Sequence, residues 1–313
     1  MRAVGVTETG GGPEVLHVLD VAEPHPGPGE VRIRVHAATV NPTDSGVRAG
    51  RYRDRHANPD GPFIPGADAA GVVDEVGEGS RWSVGDRVAA VVVPFAARGG
   101  AYQDRIVVPD ASVLRLPDDV DFVPGSTFVM NALTARLVLD GLGLEPGDTV
   151  AVTGAAGAFG GYVIEMAKAD GLRVVADAAE KDEDLVRSLG ADVVVRRGDD
   201  VADRIRAEVP DGVDALVDGS VQQHQVLAAV KDGGRVGAIR AWDGPTERGI
   251  VVHRVLVYDS VERADLVQRL ERQLADGVYT LRVADVLPAE QAPEAHRRLE
   301  AGGVRGRLVL DFS

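Results

Sequence analysis

Three glycines lie three residues apart near the middle of the chain, directly after a short apolar run. They are Gly154, Gly157 and Gly160, in the stretch TGAAGAFGGYVIEMAK that follows DTVAV. A strand, a glycine-rich loop and a helix in this order are typical of dinucleotide-binding proteins, because backbone N–H groups at the helix N-terminus bind phosphates. Gly154 would allow a tight turn, Gly157 would let a pyrophosphate approach the backbone, and Gly160 would let helix and strand pack closely.

The spacing of this loop is G-x-x-G-x-x-G rather than the usual G-x-G-x-x-G. Small residues, Ala155 and Ala156, stand where the usual pattern has its second glycine. A glycine triplet alone is weak support, and a turn without a ligand is the alternative. The alternating strands and helices around the loop favour the cofactor site. We therefore predict that the whole loop binds a dinucleotide: Gly154, Ala155, Ala156, Gly157, Ala158, Phe159 and Gly160.

A carboxylate lies at the end of the next predicted strand, in VVADAAEK. Asp177 is the candidate for contact with the adenosine ribose, since a carboxylate there binds the ribose hydroxyls of NAD(H) and repels the 2′-phosphate of NADP(H). Lys181 is the nearby cation and is included in the predicted cofactor site. The alternative is that Asp177 is an exposed residue of an ordinary loop.

The elements that must position these residues differ between two parts of the chain. Roughly the first 120 residues contain short β-branched runs separated by Gly, Pro and Asp, which predicts a small barrel. From Phe122 onward strands alternate with helices, which predicts a parallel α/β sheet. Helices are predicted at residues 222–233 and 261–277, and a strand at 250–258. The last predicted strand, GRLVLDF, would return to the first domain.

Composition narrows the classes of function. The 313 residues suffice for two domains. Cysteine is absent, which excludes disulfides, thiolate catalysis and cysteine-ligated zinc. A net charge of −15 disfavours nucleic acid and anionic membranes as partners. No apolar run approaches the ~20 residues of a membrane helix, and the start does not have the pattern of a secretory signal. The absence of cysteine fits a reducing compartment, so we expect a cytoplasmic protein.

Several stretches resemble one family from end to end. They include residues 40–52 (VNPTDSGVRAGRY), 64–88 (IPGADAAGVVDEVGEGSRWSVGDRV) and 294–312 (EAHRRLEAGGVRGRLVLDF). The chain resembles the zinc-independent quinone oxidoreductase-like branch of the medium-chain dehydrogenase/reductase superfamily. The resemblance implies an α/β protein with a GroES-like β-barrel catalytic domain, formed by residues 1–122 and 259–313. It also implies a Rossmann doubly wound parallel sheet at 123–258, and a homodimer.

The zinc positions of related alcohol dehydrogenases are changed in this chain. Asn41 stands where those relatives have a cysteine, and Ala67 and Asp68 stand where they have His-Glu. Catalytic zinc needs three protein ligands from His, Cys or carboxylate, which these positions do not supply. We therefore expect no metal and reject alcohol dehydrogenase chemistry.

A nicotinamide enzyme without metal can reduce a quinone or a C=C bond conjugated to a carbonyl, if the protein donates hydrogen bonds to the oxygen that gains charge. The resemblance implies that Tyr52 and Asn41 are such donors and that Thr134 approaches the nicotinamide. Asp44 would orient the loop or contact the nicotinamide ribose. A loop tyrosine, a turn-capping asparagine and a helix-capping threonine are the alternatives. The cofactor is also expected to contact three residues at strand ends: Gly219, Ala238 and Ile239.

Several choices stay open at this point. The family favours NADPH, whereas Asp177 favours NADH. An enoyl thioester reductase is the near alternative, and a non-catalytic nucleotide-binding relative is the distant one. The basic stretch RYRDRH, residues 51–56, would suit an anionic substrate or be a solvated loop.

Overall fold

The computed structural model describes residues 1–313 and divides into two compact units. The first domain comprises Met1–Met130, Tyr258–Asp276 and Leu281–Ser313, and the second comprises Asn131–Val257 and Gly277–Thr280. The boundary predicted at 122 lies eight residues before Met130, and the boundary predicted at 259 lies one residue after Tyr258. The short return of residues 277–280 to the second domain had no signal in the sequence.

Fifteen strands and eight α-helices make up the two domains. The strands are β1 Arg2–Gly5, β2 His17–Asp20, β3 Glu30–Thr39, β4 Asp68–Val76, β5 Arg87–Val91, β6 Arg105–Pro109, β7 Val113–Arg115, β8 Thr149–Thr153, β9 Arg173–Ala178, β10 Val193–Arg196, β11 Val213–Asp218, β12 Val230–Ala238, β13 Val251–Arg254, β14 Val283–Pro288 and β15 Arg307–Asp311. The helices are α1 Pro42–Arg48, α2 Phe122–Gly125, α3 Val129–Leu142, α4 Ala158–Ala169, α5 Glu183–Ser188, α6 Val201–Glu208, α7 Ala264–Ala275 and α8 Ala292–Ala301.

The first domain is built around the long strand β3. Its sheet has the order β14-β15-β3-β4-β5-β7, and β6 also pairs with β3. Along one edge β3 pairs with β4, and along the other it pairs first with β6 and then, at residues 37–39, with β15. Because β15 is held there, the C-terminal segment lies beside the loop that follows β3.

The second domain contains a six-stranded sheet in which all pairs are parallel, with the order β10-β9-β8-β11-β12-β13. The apolar centre of β8, Val150 to Val152, is fully buried, as expected for a strand covered on both faces. This confirms the predicted parallel α/β sheet. The strand order reverses between β8 and β11, and ligands of such sheets bind at the carboxyl ends of the strands at this point.

Three predicted elements differ from the structure. The helix predicted at 222–233 is wrong: a 3-10 helix spans Gln223–Ala229 and β12 follows at once. The Asp218 carboxylate accepts hydrogen bonds from the backbone N–H groups of Gln222 and Gln223, which competes with helical pairing there. The strand predicted at 250–258 stops at Arg254, and the helix predicted at 261–277 begins at Ala264.

One helical stretch, Phe122–Leu142, is long and apolar enough to cross a membrane by length and composition alone. A run of this length was not expected from the sequence. Of its most apolar window, 72% is buried inside the protein, and a buried core helix meets the same criteria. The stretch is therefore weak support for a membrane span.

Candidate active site

The glycine loop joins β8 to α4 as the spacing predicts. Gly154 has a φ of +69°, and a Cβ there would lie 2.8 Å from the carbonyl carbon of Gly219. A Cβ on Gly160 would lie 2.4 Å from the Gly154 oxygen. These positions agree with the tight turn and the close packing proposed for the two glycines. Gly157 is the N-cap of α4, where it offers no side chain to cap the helix.

Asp177 lies beneath this loop rather than in an exposed one. Its side chain is 4% exposed, and its Oδ1 accepts a hydrogen bond of 3.0 Å from the Ala155 N–H. Burial raises the pKa of Asp177, while the loop N–H groups and the charge of Arg197 oppose the rise. The alternative of an exposed loop residue is therefore wrong. Contact with a ribose stays a prediction, since the carboxylate already holds the loop. Lys181 is exposed in a short 3-10 helix.

A cation near Asp177 was missed by the sequence analysis. Arg197 follows β10, whose Val195 pairs with Asp177 of β9, and the Arg197 N–H donates to the Ala178 oxygen at 2.9 Å. The Arg197 side chain is exposed and close enough to lower the pKa of Asp177. It lies twenty positions further along the chain, so only the pairing of β9 with β10 reveals the proximity.

The other predicted cofactor residues of the second domain lie at the ends of neighbouring strands. Gly219 follows β11, and a Cβ there would lie 2.5 Å from the Thr153 oxygen at the end of β8. Ala238 ends β12 and Ile239 follows it. Thr134 is half-buried inside α3, five residues beyond its first residue, Val129, so the helix-capping alternative does not apply. Contact of these residues with a cofactor stays a prediction.

In the first domain, Asn41 ends the loop after β3 and serves as the N-cap of α1. Its side chain is 3% exposed, and both its amide nitrogen and its amide oxygen form hydrogen bonds within the protein. The amide nitrogen Nδ2 donates to the Thr39 oxygen at 3.3 Å and to Asp68 Oδ2 at 3.0 Å, while Oδ1 accepts from Arg307 Nη2. Donation from Asn41 to a substrate would require one of these bonds to break.

Asp68, at the second position compared with the zinc-binding relatives, is paired with a cation. Its Oδ2 lies 4.0 Å from Arg307 Nη2, and its Oδ1 accepts a 2.6 Å hydrogen bond from the Met130 N–H. Burial raises the pKa of Asp68 to about 6, against the opposing effects of Arg307 and the Asn41 amide. No three His, Cys, Asp or Glu side chains come together in an arrangement that could hold a metal ion.

Asp44 belongs to a buried polar chain. Its Oδ1 accepts from the Gly66 N–H at 2.9 Å, and its Oδ2 accepts from the Asn41 N–H at 2.7 Å and the Tyr102 hydroxyl at 3.2 Å. Burial raises the pKa of Asp44 to about 7. The side chain is 0% exposed, so the geometry supports the role of orienting the loop rather than the ribose contact.

The chain continues from Tyr102 to the surface. His296 Nε2 lies 3.2 Å from the Tyr102 hydroxyl, and Arg48 Nη1 donates to His296 Nδ1 at 3.2 Å. Since Arg48 only donates, Nδ1 accepts and Nε2 carries the hydrogen. Burial lowers the pKa of His296 to about 3, with the charge of Arg48 adding to the effect. Arg48 in turn pairs with Glu300 at 2.8 Å.

Tyr52 is part of an aromatic cluster formed by Tyr52, Phe95 and Tyr258. The ring of Tyr52 stacks on Phe95 with centroids 5.5 Å apart, and Phe95 meets the ring of Tyr258 edge to face at 4.8 Å. Gly46 makes room for Tyr52, because a Cβ there would lie 2.7 Å from the ring. Phe95 and Tyr258 come from two distant loops and were not predicted as site residues.

Comparisons with known proteins agree with this arrangement. Residues 27–118 match the alcohol dehydrogenase GroES-like domain, and residues 189–310 match the zinc-binding dehydrogenase domain. A quinone oxidoreductase of Sus scrofa is 31% identical, over 96% of this chain and 94% of its own length. An alcohol dehydrogenase of Geobacillus stearothermophilus is 30% identical, over 94% and 96%. The structure of mycobacterial Rv1454c complexed with NADPH is 30% identical with a TM-score of 0.87, covering 99% of this chain and 100% of that one.

The fold, the glycine loop and these relatives define the protein as a nicotinamide-dependent oxidoreductase of the two-domain dehydrogenase/reductase type. Within that class, the chain belongs to the quinone oxidoreductases of the medium-chain dehydrogenase/reductase superfamily.

Proposed function

We propose that this oxidoreductase reduces a quinone or an α,β-unsaturated carbonyl compound with NADPH and without zinc. The observation that carries the proposal is the hydrogen-bonded group of Asn41, Asp68 and Arg307 at the positions of the zinc ligands. A buried arginine beside these side chains supplies positive charge where a metal would, and it disfavours a second cation by repulsion. The Sus scrofa relative is named for quinones, which supports the choice of acceptor.

The residues of this chain have defined tasks in that reaction. NADPH supplies a hydride when it is bound. Tyr52 donates a hydrogen bond to the acceptor oxygen on which negative charge develops, because its phenol O–H is a hydrogen-bond donor. Phe95 fixes the orientation of the Tyr52 ring by stacking. Asp44 accepts hydrogen bonds from the N–H groups of Asn41 and Gly66 and so holds the loop from which α1 begins.

The second domain has the features that a dinucleotide requires. The loop leaves the backbone of Gly157 unobstructed at the start of α4, with only the Gly154 oxygen within 4 Å of an added Cβ. We propose that Arg197 binds the 2′-phosphate of NADPH, since Asp177 is occupied by the loop N–H of Ala155. The NADPH complex of the mycobacterial relative supports this choice.

The cofactor proposal is tested by titrating the protein with NADPH and NADH while following nicotinamide fluorescence. Replacing Arg197 with Ala should weaken NADPH binding about 10- to 100-fold, because a charge-assisted hydrogen bond contributes ~1.5–3 kcal/mol, and should leave NADH binding unchanged. Arg187→Ala, an exposed arginine of α5 that pairs with Glu183, is the matched control. Equal loss for both nucleotides would contradict the role of Arg197.

The acceptor proposal is tested by steady-state rates with NADPH and a panel of 1,4-benzoquinone, small enones and crotonyl thioesters. Quinones or enones should give the highest kcat/KM, and Tyr52→Phe should lower kcat much more than it weakens NADPH binding. A strong preference for crotonyl thioesters would support the enoyl thioester reductase instead. Nucleotide binding without turnover of any acceptor would support a non-catalytic protein. Unchanged turnover in Tyr52→Phe would remove that residue from the mechanism.

We also propose a homodimer. β13 pairs only with β12, so its outer edge is open, and Val251 on this strand is 58% exposed. An open edge with an exposed apolar side chain is suited to pairing with a second copy. Light scattering coupled to gel filtration should give twice the mass of the 32.9 kDa chain, and a mass equal to one chain would exclude the dimer.

A further inference from the structure

The hydroxyl of Tyr258 is a buried polar group without a partner. The side chain as a whole is partly exposed, but its Oη is inaccessible to solvent and forms no hydrogen bond with the protein. A buried hydroxyl left unpaired destabilises a protein by ~1–3 kcal/mol, so such groups in folded proteins call for an explanation. Neither the proposed cofactor site nor the buried polar chain of Asp44 uses this phenol.

The surroundings of Tyr258 are formed by residues of the candidate site. Its ring meets Phe95, which stacks on Tyr52. Burial raises the pKa of the Tyr258 phenol well above its usual value, and the nearby charge of Asp44 and the Tyr52 hydroxyl raise it further. Thr43 is close enough to lower the pKa of Tyr258 in part, but no hydrogen bond of good geometry joins Thr43 to the Tyr258 hydroxyl. Tyr258 therefore stays protonated at neutral pH and can act as a donor.

The position of Tyr258 is fixed by contacts on both sides. It lies in the 3-10 turn Val257–Asp259, where the chain re-enters the first domain. Asp259 of this turn lies 3.8 Å from Arg55, whose guanidinium stands 4.9 Å over the ring of Phe95. The turn is thus tied to the loop that carries Tyr52. A donor held in this way needs little reorganisation when charge develops on a ligand.

We propose that Tyr258 is a second catalytic phenol of this enzyme, which donates a hydrogen bond to the acceptor oxygen beside Tyr52. This inference rests on the proposed function. In the reaction, the acceptor takes a hydride from NADPH, which becomes NADP⁺, and its oxygen gains the negative charge. Water supplies the proton that completes the hydroquinone or the saturated carbonyl compound. Tyr258 keeps its own proton and stabilises the charged oxygen, so two phenols share one oxygen.

The decisive variant is Tyr258→Phe, which keeps the ring against Phe95 and removes only the hydroxyl. Loss of one donor from a preorganised oxyanion hole lowers kcat about 10²- to 10³-fold. Because Tyr52 still donates to the same oxygen, we expect kcat/KM for 1,4-benzoquinone to fall about 10- to 100-fold here. The affinity for NADPH should not change. The midpoint of thermal unfolding should stay the same or rise, because an unpaired buried hydroxyl has been removed. Tyr279→Phe, in the second domain, is the matched control and should keep wild-type rates.

A binding experiment separates this inference from the proposed function. The probe is 4-nitrophenolate, whose charged oxygen resembles that of the reduced acceptor, and its absorption spectrum reports binding without turnover. The wild type should bind it about tenfold more tightly than Tyr258→Phe does. Wild-type protein that binds the phenolate in this way but reduces no quinone or enone would overturn the proposed function and leave Tyr258 as an oxyanion donor. Equal phenolate affinity and equal kcat/KM in wild type and variant would overturn the inference, as would a wild type that does not bind the phenolate.

Discussion

Replacing Gly160 with Ala tests the packing of the glycine loop most directly. The added Cβ would lie 2.4 Å from the Gly154 oxygen and 2.7 Å from the Ala155 Cα, both backbone atoms that no side-chain rotation can move. Since ordinary contacts of a Cβ begin at 3.4 Å, the loop must retreat by 3.4 − 2.4, or about 1.0 Å. Such a shift moves the N–H groups that we expect to bind phosphate.

The change in stability caused by Gly160→Ala is the sum of two opposing contributions. Gly160 lies within α4, where Ala is preferred over Gly by ~1 kcal/mol. Overpacking opposes this by ~1–3 kcal/mol, which leaves the variant destabilised by about 0–2 kcal/mol. The NADPH dissociation constant should rise about 10- to 100-fold, because a misplacement of ~1 Å at a binding site has effects of this order. Urea unfolding and a fluorescence titration with NADPH measure the two quantities.

Gly157→Ser is the matched control for the same loop. Only the Gly154 oxygen, at 3.1 Å, would meet its Cβ, and Ser is a favourable N-cap, so stability should be retained. NADPH affinity should still fall, because the side chain points to the proposed pyrophosphate position. If Gly160→Ala instead gained ~1 kcal/mol of stability and bound NADPH normally, helix propensity alone would explain it and the close packing would be refuted.

The first domain supports three further predictions. Asp44 is protonated in the folded state up to about pH 7. Because the unfolded chain loses this proton at a lower pH, the free energy of unfolding falls as the pH rises from about 4 to 7. The unfolding midpoint of the wild type should therefore fall relative to that of Asp44→Asn over this range. His296, with its pKa lowered to about 3, has the opposite slope: its contribution is lost as the pH falls from about 6.5 toward 3, and His296→Gln should lack this loss in urea titrations. Dialysis against EDTA should leave the rate of quinone reduction unchanged, and added zinc should not raise it, because Arg307 lies beside Asn41 and Asp68. Activity that is lost with the chelator and restored by zinc would contradict the proposed mechanism.

Local patterns in the sequence predicted the second domain well. The loop at Gly154 and Gly160 was recognisable because its strand, turn and helix are consecutive in the chain. The segment after Asp218 was not, because its 3-10 conformation depends on how that carboxylate caps the backbone N–H groups of Gln222 and Gln223. Apolar spacing alone favoured an ordinary helix there.

The sequence could not show which side chains pair with each other when they are far apart in the chain. Asn41 was predicted to stand where related alcohol dehydrogenases have a zinc ligand, but its partner Arg307 lies 266 positions away and is brought to it by the pairing of β15 with β3. Asp177 was identified by position, whereas the direction of its carboxylate depends on the loop above it. Tyr258 gave no periodic or motif signal, because its environment is made by two other loops.

The pairing of β15 with β3 has a consequence for synthesis on the ribosome. The second domain, residues 131–257 and 277–280, emerges before β15, so that domain can fold while the first is still incomplete. Until β15 arrives, residues 37–39 of β3 are an unpaired edge and the buried Asp68 has no cation beside it. A nascent chain halted in the last few residues would therefore hold one finished domain and one with an exposed strand, a form that chaperones bind and that aggregates readily.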